Sequence, residues 1–115
     1  MNDVAKMNLG ELQSRALRAS GLLKAMSNPV RLLVLCQLAE SEKSVGELES
    51  VVDVSQSALS QHLALLRSRG LVTFRREGQT LYYSLAGREA ATLLAALYQI
   101  YCARAKTPRR VSASA

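Results

Sequence analysis

The chain has 115 residues, a formal charge of +6 and a pI near 9.8, enough for one domain with a modest core and little room for an enzyme's buried cleft. The basic balance suits a polyanionic partner, although many unrelated proteins share such a pI. No apolar run approaches the ~18 residues of a membrane span and no leader-like stretch opens the chain, so a cytoplasmic protein is expected, its two cysteines reduced at rest and without a permanent disulfide.

Residues 1–7 are mixed in character and are expected to be flexible; the folded domain is placed at 8–106. From Asn8, the residues Leu9, Leu12, Ala16, Ala19, Leu22, Leu23 and Met26 recur at helical spacing, which predicts a helix of about five turns. Asn28 then caps a second helix, with Pro29 at its first position, where a missing N–H costs nothing. That helix, residues 29–40, is apolar nearly all round (Val30, Leu32, Leu33, Val34, Leu35, Cys36, Leu38) and is expected in the middle of the core. Ser44 and Glu47 form a capping box that opens a short third helix, ending near Val51 or Val52.

Val52-Asp53-Val54 is read as the turn into a fourth helix, Ser55 to Gly70. Ser55 is its N-cap, Leu59, Leu63 and Leu66 its buried stripe, and Gly70 its left-handed terminator. The opposite face carries Gln56, Ser57, Ser60, Gln61 and then Arg67, short donors and acceptors suited to base edges and phosphates in a major groove. Such residues are also common on any solvated helix face. Charge distribution decides between the two: residues 40–53 hold five acids against the single Lys43, whereas residues 54–85 hold four arginines against Glu77. Two helices joined by a tight turn, the second polar at its start, form a helix-turn-helix.

Leu71 to Arg76 and Thr80 to Leu85 are rich in β-branched and aromatic residues, and Glu77-Gly78-Gln79 supplies a turn, which predicts an antiparallel hairpin with a basic tip. A hairpin directly after a helix-turn-helix is a wing. Helix returns from Gly87 to Lys106, with a stripe of Leu93, Leu94, Leu97, Ile100 and Tyr101 among alanines. With the core helices already used, this stripe and the first helix are expected to form a homodimer face through Leu12, Leu93, Leu97 and Ile100. Residues 107–115 are expected to be a flexible basic tail. The fold class is thus mainly α with a small β-hairpin: a winged helix-turn-helix of order α-α-α-α-β-β-α, homodimeric through its first and last helices.

In that order of elements, and in the stretches LLKAMSNPVRLLVL, SVGELESVVDVSQSALSQHLALLRSRGLV and RREGQTLYYSL, the chain resembles the ArsR/SmtB family of bacterial winged-helix repressors over about Leu12 to Ala103. The resemblance implies a homodimer that blocks transcription until a chemical signal weakens its grip on double-stranded operator DNA. It assigns DNA contact to Gln56, Ser57, Ser60 and Gln61 on the reading helix, and to Arg75, Arg76 and Gln79 on the wing. Asp53 stands where the family commonly has glycine, so a strained left-handed residue is expected there.

The family's metal sites do not carry over. A cysteine-containing run is needed on the third helix, and this chain reads KSVGELE, with Ser44 at the thiolate position. The other site pairs Asp and His along the last helix, and none lies between Gly87 and Lys106. The only histidine, His62, is a poor nucleus for a four-ligand site and is read as a packing or phosphate contact. No metal or other cofactor is expected. There remain Cys36 and Cys102. As small buried hydrophobes they would need no further account, but their places on the second and last helices, with the motif YCA at the second, resemble the dithiol, sulfide- and persulfide-responsive group of the family. That resemblance implies a reactive sulfur species as inducer, linking the two thiols within one subunit. Peroxide, acting through a sulfenic acid, is the alternative oxidant. Other readings are a sensor of As(III), Cd(II) or Cu(I) through the same thiols, a thiol oxidoreductase, for which the CxxC pair is missing, and a winged helix used only for protein interaction.

Overall fold

The computed structural model describes residues 8–102; the flexible ends expected at 1–7 and 107–115, and the helical stretch beyond Cys102, lie outside the described residues. In chain order the elements are α1 (Leu9–Met26), α2 (Pro29–Glu40), β1 (Lys43–Ser44), α3 (Val45–Glu49), α4 (Gln56–Ser68), β2 (Val72–Glu77), β3 (Thr80–Leu85) and α5 (Glu89–Tyr101).

Local chemistry sets most of these boundaries. Asn8 accepts from the Glu11 amide at 2.8 Å and starts α1. Asn28 accepts from the amides of Val30 and Arg31 and starts α2 behind Pro29. The capping box on α3 is complete in both directions: Glu47 N donates to Ser44 Oγ at 3.1 Å, and Ser44 N donates to Glu47 Oε1 at 2.7 Å. Gly70, at φ +74°, ends α4. Its amide donates to Arg67 O and the Leu71 amide to Leu66 O, the two bonds of a Schellman turn, which aims the chain into β2.

The reading helix packs through its apolar stripe. Leu59, Leu63 and Leu66 are essentially sealed, together with Val34 and Leu35 of α2 and Leu48 of α3. Helix α2 lies against α1, α4, α5 and β3. It is not buried all round, as its composition suggested: Val34, Leu35 and Leu38 face the core, while Leu33 and Cys36 are exposed. The cover that α1, α4, α5 and β3 give this 12-residue helix does not close round it, and Leu33 and Cys36 are left to solvent.

Three further expectations are corrected. The helix-turn-helix connection is longer than the expected Val52-Asp53-Val54, running from Ser50 to Ser55, because α3 stops at Glu49. Asp53 is not left-handed; among the described residues only glycines have positive φ, and the longer connection removes the need for a sharp turn. The sheet has three strands, in the order β1-β3-β2, not two. Residues Lys43 and Ser44 pair with Tyr83 and Tyr82, a segment too short to leave a periodic signal. In the hairpin, Glu77 pairs with Thr80, so the loop is only Gly78-Gln79, with positive φ at Gly78 alone, the pattern of a type II′ loop.

Of the residues expected at a dimer face, Leu93 and Leu97 pack against the chain's own core. Leu12 and Ile100 remain exposed, alongside Leu9, Leu17, Leu23, Tyr98 and Tyr101. The apolar stripe of α1 therefore finds little cover within the chain: only Ala25 and Met26 at its end are buried.

Candidate nucleic-acid interface and thiol pair

Ser55 Oγ accepts from the Ala58 amide at 3.1 Å, which holds the first turn of α4 open toward solvent. Gln56, Ser57, Ser60 and Gln61 are all exposed there, and with Ala64 they line one shallow depression. No acid stands in this turn, so its free backbone N–H groups and the helix dipole both favour an approaching phosphate. The side chains are short, and the buried Leu59 and Leu63 behind them fix the face that they present.

The arginines divide sharply by role. Arg67 lies over the Phe74 ring, 4.5 Å from its centroid, so its guanidinium joins the end of α4 to the wing. Arg69 turns away toward α1: a Cβ at Gly21 would stand 3.2 Å from its Nη1. Arg75 is held on the outer face of the wing. Its Nε and Nη2 donate to the two oxygens of Glu42, both at 2.9 Å, its Nη1 lies 3.5 Å from Glu77, and its guanidinium covers the Tyr82 ring at 4.6 Å. The hydrogen bonds with Arg75 hold the Glu42 carboxyl below its ordinary range. Arg76, one residue on, points to the opposite face, the one shared with Phe74. Among the described residues it has no hydrogen bond, ion pair or ring contact, and with exposed Gln79 it is free to meet a ligand. Of these four arginines, Arg69 and Arg76 have no hydrogen bond, ion pair or ring contact among the described residues, and Arg76 is the one that stands on the wing.

His62 is half-buried on the inner side of α4, its Nδ1 3.4 Å from Arg31 Nη1, which favours packing over phosphate contact. Arg31 also donates from Nε to Ala25 O at 2.6 Å and from Nη2 to Lys24 O at 3.2 Å. One guanidinium so caps the carbonyl end of α1 and touches the reading helix. Glu42, Arg31, Phe74 and Tyr82 were not legible as site residues, because their partners lie far along the chain. The acidic run facing a basic one was the only hint of the Glu42 pair.

Both cysteines are free and exposed. Cys36 sits mid-way along α2 and Cys102 caps the end of α5, its amide donating to Tyr98 O at 2.8 Å. Although open to solvent, Cys36 loses some hydration to its neighbours, and this, followed by the charges of Cys102 and Glu40, pushes its thiol above the ordinary range. The two thiols thus stand on helices that pack against each other, α2 and α5. Among the described residues no group of three or more His, Cys, Asp or Glu side chains is gathered to hold a metal ion, and no helix is long and apolar enough to cross a membrane.

The profile of the bacterial regulatory protein, arsR family, matches residues 28–73, from the cap of α2 to the start of β2. The transcriptional activator HlyU of Vibrio cholerae is 50% identical over 98 residues, 85% of this chain and 91% of HlyU. The structure of reduced HlyU from the same organism superposes with a TM-score of 0.78, covering 82% of this chain and 99% of that one. The biofilm growth-associated repressor of Agrobacterium fabrum is 45% identical over 101 residues, 88% of this chain and 86% of the repressor. A homodimeric winged helix-turn-helix DNA-binding domain from Mycobacterium bovis, a possible ArsR-family regulator, superposes with a TM-score of 0.70 at 28% identity, covering 87% of this chain and 93% of that one. With these matches running nearly end to end, and an exposed polar reading helix beside a wing, the chain belongs to the ArsR family of bacterial regulatory proteins and is a DNA-binding regulator of transcription, not an enzyme.

Proposed function

We propose that the chain is a cytoplasmic, homodimeric repressor that leaves its operator when a polysulfide links Cys36 to Cys102. The observation that carries this reading is the pair of free, exposed thiols on α2 and α5, two helices that pack against each other. The relatedness to HlyU, a structure of which is described as its reduced form, supports a redox-sensitive role. One thiolate attacks a polysulfide, takes over two sulfurs and releases the shortened chain. The second thiolate then attacks the middle sulfur and expels the terminal one as HS⁻, leaving a bridge with one extra sulfur. Sulfane sulfur is reduced to sulfide while both thiols give up their protons, so the polysulfide is itself the oxidant. Such a bridge pins the end of α5 to α2. With the exposed apolar faces of α1 and α5 as the subunit contact of a homodimer, the state of the M. bovis domain, the pinning moves one reading helix relative to its mate. A twofold protein must set those helices ~34 Å apart, or a multiple of it, to fit its half-sites.

The test is DNA release in the single serine variants. Cys36→Ser and Cys102→Ser should each bind a duplex selected from a random pool as the wild type does, and neither should be released by polysulfide. Mass analysis of the wild type should find the link within one chain, reversed by reductant. Release of the double serine variant by polysulfide would remove the thiol switch. Release by cadmium where polysulfide does nothing would favour a thiophilic-metal sensor instead.

A further inference from the structure

The outer face of the wing carries a group that the reading of Arg75 as a DNA contact leaves unexplained. Glu42 comes from the connection between α2 and β1, yet its carboxylate reaches across β3 to the guanidinium on β2. The geometry is a fork on a fork, two parallel bonds of 2.9 Å, the strongest form of a carboxylate–arginine pair and the most demanding in direction. Ser84 Oγ, from the intervening strand, lies 3.5 Å from the same carboxylate. Tyr82 closes the underside of the guanidinium, and Glu77 flanks it. All three guanidinium nitrogens of Arg75 thus approach a carboxylate and one of its faces is covered, while the side chain stays half exposed.

We propose that Glu42 and Arg75 are positioning residues of the wing: their fork ties β2 to the α2–β1 connection, and thereby sets where Arg76 and Gln79 stand against DNA, while Arg75 itself does not touch a phosphate. A two-stranded ribbon twists freely about its long axis, and β1 supplies only two residues of extra pairing, both to β3. Strand β2 is the far edge of the sheet, so nothing in the ladder ties it directly to the α2–β1 connection. The fork supplies that tie on the outer face, and Arg67 on Phe74 supplies another on the inner face. Between them the wing becomes continuous with the helix-turn-helix. This inference rests on reading the wing as part of the DNA surface.

The experiment separates a strut from a contact. Affinity for a duplex selected from a random pool by the wild-type protein is measured across a range of salt concentrations. Arg75→Lys keeps the charge and loses the fork, so it should weaken binding about two- to fivefold with an unchanged salt slope, the scale of an exposed ion pair of good geometry. Glu42→Gln should weaken binding similarly when judged against Glu49→Gln, which removes the same charge from the end of α3. The double variant should be no weaker than either single one, and Glu42→Arg with Arg75→Glu should restore binding by reversing the fork. Arg76→Ala is the contrast, lowering the salt slope by about one. The inference is overturned if Arg75→Lys binds like wild type, if Glu42→Gln binds more tightly than Glu49→Gln, or if the charge swap fails while a duplex is still bound. In the free protein, the Arg75 Nε–H resonance should be slow to exchange and should broaden in Glu42→Gln. If that is seen while wild type binds no duplex, the wing is not a DNA surface, although the fork stands.

Discussion

At the scale of single residues, Cys36 and the reading-face side chains make the most specific demands. Burial, Cys102 and Glu40 all disfavour the Cys36 thiolate, and only the thiolate reacts. Its alkylation by iodoacetamide should therefore be slower near neutral pH than that of a free thiol, and should still be rising above the ordinary thiol range, where a free thiol has levelled off. Replacing Glu40 by Gln removes one raising charge and should shift that profile to lower pH; mass spectrometry of the Cys36 peptide reads both. An unshifted profile in Glu40→Gln would leave burial and Cys102 as the causes. On the reading helix, Gln61→Ala and Ser57→Ala should erode preference for the selected duplex over random DNA, by about 1–3 kcal/mol for a lost base contact. Arg76→Ala should weaken binding to both about equally, as a phosphate contact does. Arg75 was indistinguishable from Arg76 in sequence, since alternation puts neighbours on opposite faces but does not say which face meets an acid 33 positions earlier.

Among the elements, those fixed by near neighbours were legible and those fixed across the chain were not. Asn8, Asn28, Ser44 and Ser55 each cap with bonds to residues two or three positions on, so the starts of four helices could be read directly. Gly70 and Gly78 likewise mark turns that need positive φ. Strand β1 could not be read, because two residues become a strand only when β3 arrives from nearly forty positions away. Nor could the role of Arg31, whose guanidinium closes the carbonyl end of α1 and meets His62 31 positions on. Arg31→Ala should destabilise the protein by roughly 1–3 kcal/mol, the range for lost hydrogen bonds to a charged donor, and Arg31→Lys should recover only part of this because Lys lacks the fork. Urea unfolding measures both. A neutral alanine variant would mean that solvent satisfies those carbonyls equally well. For comparison, Leu63→Ala inside the sealed stripe of α4 should cost about 2–5 kcal/mol.

For the molecule as a whole, the dominant surface feature is the apolar exterior of α1 and α5. Leu9, Leu17 and Leu23 on α1 and Ile100 and Tyr101 on α5 are each more than half exposed, more than a lone domain of this size commonly leaves to water. Leu97, expected at the dimer face, packs partly against the chain's own core, so a charge there would damage fold and interface together. Ile100→Glu is the cleaner probe. It should leave the unfolding transition of the subunit recognisable, yield monomers in sedimentation, and sharply lower affinity for a duplex with two half-sites. A dimeric Ile100→Glu protein would place the subunit contact elsewhere.

Ser44 has a bearing on how such regulators could be recombined. It is at once a β-strand residue paired with Tyr82 and the N-cap that launches α3, so the strand ladder and the helix-turn-helix meet in a single amino acid. A chimera intended to move sequence preference from this chain to another scaffold therefore has a natural cut ahead of Ser41 and another after Leu85. A transplant beginning at α3 would leave behind Glu42, Lys43 and Ser44, and with them the ladder, the fork and the helix cap that orient the transferred wing. The shorter graft should fold and still bind DNA in general, yet read its new operator poorly.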